Sequence, residues 1–237
     1  MKKIRRIILF SLTILLTAYL ILFLFPQIAF GNKLEYKSFI IYSHSQLDKN
    51  IFTVLDSAGS LISCSEFYKI KTGQHKIYLC NNFLEYSFFA PTQRQAFAFN
   101  NPLTNNILLS KSNILQNRVE RNGNENNFRT LSGTIAHEVT HTLLKNYLGF
   151  IKYMGLDTWK NEGYSDLIAK ESSFDFIKGI NFLCNYKNSS LPSFKYFKYR
   201  LYIEYLIKDK KLSFNEIVHC NFTLKQLDKD VQKKYCP

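Results

Sequence analysis

Hydrophobic and polar positions divide the chain unevenly. Nineteen consecutive residues, Ile7 to Phe25, carry no charge, and Pro26 closes the run. As a helix rising 1.5 Å per residue it spans about 28 Å, close to the hydrocarbon thickness of a bilayer. No polar face divides it, which argues against a helix buried in a soluble core. Beyond it the pattern becomes that of a globular domain. Residues 31 to 37 read as a linker, and Ser38 to Ser43 (S-F-I-I-Y-S) as a buried strand. From Ser45 to Ile62 the apolar positions Leu47, Ile51, Val54, Leu55 and Ala58 recur at helical spacing, with Gly59 near the end. Lys76 to Cys80 returns to strand. Gln95 to Asn100 alternates, Asn101-Pro102 is turn-like, and Asn106 to Ser110 follows, a pair that reads as a hairpin.

Between Asn113 and Asn127 asparagines break all periodicity, and the stretch reads as an exposed loop. Helical spacing resumes from Phe128 to Leu148, with Leu131, Ile135, Val139 and Leu143 on one side and Gly149 as the stop. A second helix is expected from Asp157 or Thr158 through Glu171. Further helices are expected near Phe174 to Asn185, Phe194 to Lys208, Ser213 to His219 and Thr223 to Lys234. Strands first and helices after make an α+β layout. No internal repeat is present. The expected organisation is a basic segment over residues 1–6, a membrane signal-anchor over 7–30, and one domain over 31–237.

Charge and cysteines place that domain. Lys2, Lys3, Arg5 and Arg6 precede the apolar run without an acid among them, so the amino terminus is expected in the cytoplasm and the bulk outside. A cleaved signal peptide has a shorter apolar core and small residues before the cut. Ala29-Phe30-Gly31 is a poor match, which favours an uncleaved anchor. Five cysteines, all beyond the anchor and without C-x-x-C spacing, suit disulfides in an oxidising compartment. Cys64–Cys80 closes a short loop and is the first expected bridge; Cys184 with Cys220 or Cys236 is the second. The net charge of +13, less the four of the basic segment, leaves +9 outside. Mixed with aromatics, as in Lys195-Tyr196-Phe197-Lys198-Tyr199-Arg200, it suits a solvated face or an anionic surface, and no nucleic-acid partner is expected.

One stretch names a chemistry. His137-Glu138-Val139-Thr140-His141 reads H-E-x-x-H. On a helix, two His four residues apart leave the same face one turn apart, suited to two nitrogens on one Zn²⁺. Glu138 is rotated off that line, close enough to reach a water at the metal without being a ligand. A catalytic zinc wants a third protein ligand. Twenty-one residues after His141 comes Glu162, in the run Asn161-Glu162-Gly163-Tyr164-Ser165-Asp166 near the start of the second helix. There Glu162 can reach back to the first helix. Asp166, one turn on, can accept the outer N–H of a ligand imidazole.

H-E-V-T-H followed by N-E-G-Y-S-D resembles the gluzincin group of zinc metallopeptidases, which includes thermolysin-like and aminopeptidase-like families. The resemblance runs from about Thr134 to Lys170. It implies a zincin-like domain with a small mixed sheet before the motif and a mainly helical carboxyl-terminal half. It implies one zinc per chain on His137, His141 and Glu162, Glu138 as general base, and Asp166 behind His137. It implies a peptide or protein substrate held along an edge strand, for which Asn106 to Ser110, with Ile107, Leu108 and Leu109, is the expected segment. It also implies a Tyr or His at the oxyanion. Tyr199 is favoured, opening a helical run like that of the aminopeptidase-like branch, with Tyr202 and Tyr153 as alternatives.

The G-x-M-E-N segment of the aminopeptidase-like families has no counterpart before His137, which leans the expectation toward an endopeptidase. Acidic clusters of the calcium-binding kind are absent, and no structural calcium is expected. An inactive binding or scaffold protein on the same fold is the rival reading, and a zinc hydrolase of non-peptide amides a weaker one. His44, His75 and His219 are expected to be surface or locally bonded residues. Asn188-Ser189-Ser190 and Asn221-Phe222-Thr223 are formal glycosylation sequons, and Trp159 is expected to anchor the second helix by packing.

Overall fold

A computed structural model describes residues 2–70, 73–122, 124–172, 174–185 and 191–236. Helix α1 (Lys2–Leu24) buries none of its residues and is long and apolar enough to cross a membrane. A single 3₁₀ turn, Pro26–Ala29, leads from it into the domain.

Alternation along short strands builds a five-stranded mixed sheet in the order β1-β2-β3-β5-β4. Strands β2 (Phe39–Ser43), β3 (His75–Leu79) and β5 (Ile107–Leu109) run parallel at its centre. Antiparallel edges are added by β1 (Asn32–Tyr36) and β4 (Ala98–Asn100). The expected linker over residues 31 to 37 is therefore mostly strand. Leu34 and Tyr36, two residues apart, turn onto the core, a period too short to stand out in the sequence. The β4–β5 hairpin forms as expected.

Both faces of the sheet are covered. Phe39, Ile41, Ile77, Leu79, Ala98, Ile107 and Leu109 face the main core with α2 (Ile51–Ile62) and α4 (Leu131–Leu148). Tyr78, Cys80, Phe99 and Leu108 face the other way, with Tyr86 and Phe89 of the unforeseen helix α3 (Phe83–Phe89) and with Leu22 and Phe23 of α1. This division overturns the Cys64–Cys80 pairing. Cys64 follows α2 on one face, Cys80 is buried on the other, and both are free. The bridge that forms is Cys184–Cys236, the second of the alternatives for Cys184; Cys220 is free.

The expected loop from Asn113 to Asn127 is largely a second sheet, β6 (Ser112–Asn113), β7 (Arg118–Arg121) and β8 (Asn124–Thr130), all antiparallel. Asparagine is a poor strand former, so propensity hides what pairing imposes. Asn117 and Asn122 take left-handed backbone conformations that asparagine tolerates, which suits them to turns. Because β8 runs to Thr130, α4 starts at Leu131 and not at Phe128. The Thr130 hydroxyl accepts from the Gly133 N–H to cap it. Helix α2 likewise starts later than expected, at Ile51.

The short helix α5 (Phe150–Met154) was not expected; the rest of the carboxyl-terminal half is helical as expected: α6 (Thr158–Ala169), α7 (Phe176–Asn185), α8 (Pro192–Lys208), α9 (Phe214–His219) and α10 (Leu224–Tyr235). The bridge ties α7 to the end of α10. Trp159 is buried and meets Tyr202 edge-on. Asn221 is exposed, and the sequon 188–190 lies outside the described residues.

Helix α6 crosses α8 so closely that a Cβ on Gly163 would lie 2.4 Å from the Tyr199 carbonyl oxygen. That neighbour is backbone and cannot step aside. Gly163→Ala is expected to cost about 1–3 kcal/mol of unfolding free energy by denaturant titration.

His75 begins β3 with its side chain buried, and burial lowers its pKa from 6.5 to about 4. Folded and unfolded chains are both neutral there above pH 6.5, so this contribution to stability is then complete. Between 6.5 and 4 only the unfolded imidazole takes up a proton, which removes about 3 kcal/mol. The loss of stability by urea titration between pH 7 and 4.5 should be smaller in His75→Gln than in the native chain, the difference between the two being this contribution.

Candidate metal centre

Helix α4 is buried along almost its whole length, on every side, which its mixed composition of small and polar residues permits. Its two imidazoles meet over α6. His137 Nε2 and His141 Nε2 lie 3.0 Å apart. Glu162 brings Oε2 to 3.4 Å from the first and Oε1 to 3.7 Å from the second. Three ligands about 2.1 Å from a tetrahedral ion would be about 3.4 Å apart, so this triangle is of the right size to hold a metal ion. His137, His141 and Glu162 can therefore form a metal site.

The outer nitrogens settle which atoms face inward. His141 Nδ1 lies 2.9 Å from Asn161 Oδ1, while Asn161 Nδ2 donates to the Tyr153 hydroxyl at 3.2 Å. A carbonyl oxygen only accepts, so His141 carries its proton on Nδ1 and turns the Nε2 lone pair toward the triangle. The Ser165 hydroxyl, 3.2 Å from the same Nδ1, supports the ring from below. His137 Nδ1 is 2.9 Å from Asp166 Oδ1. That contact is an ion-pair distance without hydrogen-bond geometry, and it is Nε2 of His137 that faces Glu162 and His141. The donor set fits a metal ion.

Asp166 is itself gripped. Arg129, at the end of β8, donates from Nη2 to the same Oδ1 at 2.9 Å and to the Glu171 carbonyl oxygen at 3.2 Å. Burial favours the neutral acid at Asp166, but Arg129 and His137 outweigh it and hold the pKa below the ordinary carboxylate value. Burial alone would lower the His137 pKa. The carboxylates of Asp166 and Glu162 overcome it, so the ring without a metal holds its proton up to about 10. The same carboxylates favour any positive charge at this spot, including a metal cation.

Glu138 is one residue along α4 from His137 and also buried. Burial raises its pKa, although both imidazoles pull the other way. It lines a cleft of about 750 Å³ together with the metal-site residues. One wall of the cleft is the segment from Pro91 to Asn100, ending in β4; the other carries Tyr153 from α5 and Tyr196 from α8. Asn100 fastens β4 to the motif helix, donating to the Glu138 carbonyl oxygen at 2.7 Å and lying 2.9 Å from the Thr142 hydroxyl.

Three expectations change here. The strand at the edge of the sheet is β4, not Asn106 to Ser110. Ile107, Leu108 and Leu109 are fully buried, with β3 on one side and β4 on the other. The edge passes to β4 because its hairpin folds back outside β5. Tyr199 does not line the cleft: its ring is packed between Tyr196 and Tyr202. Tyr202 is turned away, with its hydroxyl on Asp228. Tyr153 does reach the cleft, and burial keeps it protonated, with a pKa of about 12. Tyr196, which reaches the cleft one turn before Tyr199, was not anticipated, and burial raises its pKa too.

Arg129, Asn161 and Asn100 were also missed. Asn161 stood inside the recognised motif and signalled its role by position. Arg129 and Asn100 had no sequence signal. His44 pairs with Glu85 at the surface, His75 is buried in the core, and His219 is exposed; none of them joins the site. No model of a known protein family matches the chain, and no curated protein is significantly similar to it in sequence.

Proposed function

We propose that the chain is a membrane-anchored zinc metallopeptidase of gluzincin type, with its domain on the extracytoplasmic side. The observation that carries this reading is the ligand-sized triangle of His137, His141 and Glu162 beside a buried Glu138 in an open cleft. Two imidazoles and one carboxylate are a donor set that suits zinc, with a position left open for chemistry. A zinc ion there would supply Lewis acidity, which polarises a carbonyl and makes water acidic near neutral pH.

The chain's own residues do the rest. Glu138 takes the proton from the attacking water and returns it to the leaving amine. Tyr153, one of the expected alternatives, and Tyr196 line the cleft with hydroxyls kept protonated by burial, which supports them over Tyr199 as donors to the oxyanion. Strand β4 is the last of the sheet, so one row of its backbone groups is available to an extended peptide. Asp166 and Asn161 hold the imidazoles in the tautomer that ligates. The apolar α1, the basic residues before it and the Cys184–Cys236 bridge support an anchor with the domain in an oxidising compartment.

The test is metal analysis of the purified protein alongside cleavage of a peptide library. About one zinc per chain and chelator-sensitive cleavage are expected. Zinc-free protein would refute the reading. Zinc with no cleavage of any peptide would favour a scaffold on the same fold.

A further inference from the structure

The end of α1 does not leave the membrane as a free stalk; it is packed into the domain. The Tyr19 hydroxyl donates to the Phe88 carbonyl oxygen at 3.2 Å, and the two rings meet edge-on with centroids 5.1 Å apart. Phe23 lies 6.4 Å from Phe99 of β4. Asn106, at the foot of the β4–β5 turn, donates to the Leu24 carbonyl oxygen at 3.2 Å. These contacts fix the height of the domain relative to the helix. Tyr19 is five residues before Leu24, about 7.5 Å back along the helix axis. A helix that spans the bilayer up to Phe25 therefore carries Phe88 below the plane where the chain emerges.

What α3 shows at that level is apolar. Leu84 and Phe88, one turn apart on the same face, are 79% and 44% exposed, while Tyr86 and Phe89 on the opposite face are buried. Exposed Leu and Phe beside a membrane helix, at a depth of about 5–10 Å, are what an interfacial segment presents to the boundary between headgroups and acyl chains.

The geometry points to a second membrane contact: Leu84 and Phe88 of α3 enter the outer-facing leaflet and hold the cleft at the bilayer surface. The cleft then selects polypeptide segments lying next to the membrane. The occupant is lipid because Phe88 packs directly on Tyr19 of α1, so the exposed face of α3 adjoins the apolar helix. The substrate class follows from β4, which carries Phe99 toward Phe23 and lines the cleft with its neighbouring residues. This inference rests on α1 spanning the membrane, and its substrate arm rests also on the peptidase reading.

The test uses the full chain in vesicles of phosphatidylcholine and phosphatidylglycerol, with bromine at shallow acyl positions. Trp159, the single tryptophan, is buried and gives a constant background. Phe88→Trp emission should fall at least about twofold on bromination, while Ile177→Trp, on α7, should not respond. Unquenched Phe88→Trp emission would overturn the lipid contact. Extraction of the protein by alkaline carbonate would overturn the anchor and the inference together.

For the substrate, one peptide sequence is offered directly after a lipid anchor and again behind a flexible spacer of about 30 residues. The native chain should cut the near copy at least about threefold faster, and Leu84→Ser with Phe88→Ser should lose that preference. Free peptide should be cut equally by both proteins. Equal rates on the two tethered peptides would overturn the substrate assignment. Failure to cut any peptide would refute the peptidase reading and this substrate class, while the quenching still decides the lipid contact.

Discussion

On the proposed peptidase reading, Glu138→Gln is expected to keep zinc and lose peptide cleavage by about 10²–10⁴-fold, the range that a positioned general base contributes. The substitution preserves shape and removes only the ability to take a proton. Glu138 is not one of the triangle's three corners, so the amide should leave metal affinity close to native. The effect should fall on kcat, because proton transfer occurs in the transition state and not on binding. Metal content by elemental analysis and steady-state rates on a cleaved peptide measure the two halves of this claim. Loss of zinc in Glu138→Gln would show that Glu138 is a ligand. Full activity would show that another group is the base.

Removing Arg129 should be the most damaging change to stability near the site. Arg129→Met leaves Asp166 buried with His137 as its remaining charged partner, and breaking one side of a buried pair costs about 3–5 kcal/mol. Arg129 is 7% exposed and Asp166 2%, so water offers little compensation. Metal binding should soften the loss, because a cation at the triangle restores positive charge beside Asp166. The urea midpoint should therefore fall further for the zinc-free protein than for the zinc-bound one. Zinc affinity should also drop about 10–100-fold, since Asp166 orients His137. Equal destabilisation with and without zinc would separate Arg129 from the metal site and leave it a structural role alone.

These two residues also mark the limits of what a sequence can reveal. Glu138 is legible because it lies one position from His137, and helix geometry relates such neighbours without knowledge of the fold. Glu162 and Asp166 were legible for a similar reason, as a second local pattern on the next long helix. Arg129 falls at the start of the stretch that reads as the motif helix, yet it belongs to strand β8. It reaches Asp166 only because β8 pairs with β7 and runs straight into α4. Asn100 and Tyr196 approach the cleft from opposite walls, and no local period connects them.

Helices were easier to place than strands, for physical reasons. The apolar faces of α2 and α7 recur every three or four residues over several turns, whereas β1 has two inward residues in all. Choosing between Tyr199 and Tyr196 required the rotation of α8 about its own axis, which its packing on α6 sets through the glycine at 163. The pairing of Cys64 failed because sequence distance is blind to the two faces of a sheet.

By itself the sequence determined the apolar amino-terminal helix, the α+β order of elements, and the residues that converge as a possible metal site. All of these depend on spacing within single helices or strands. Only the tertiary structure decided which strand is the edge, which tyrosines face the cleft, which cysteines bridge, and what stands behind Asp166. Each of those is a contact between segments far apart in the chain, fixed by packing the two faces of one sheet and by the close crossing of α6 and α8.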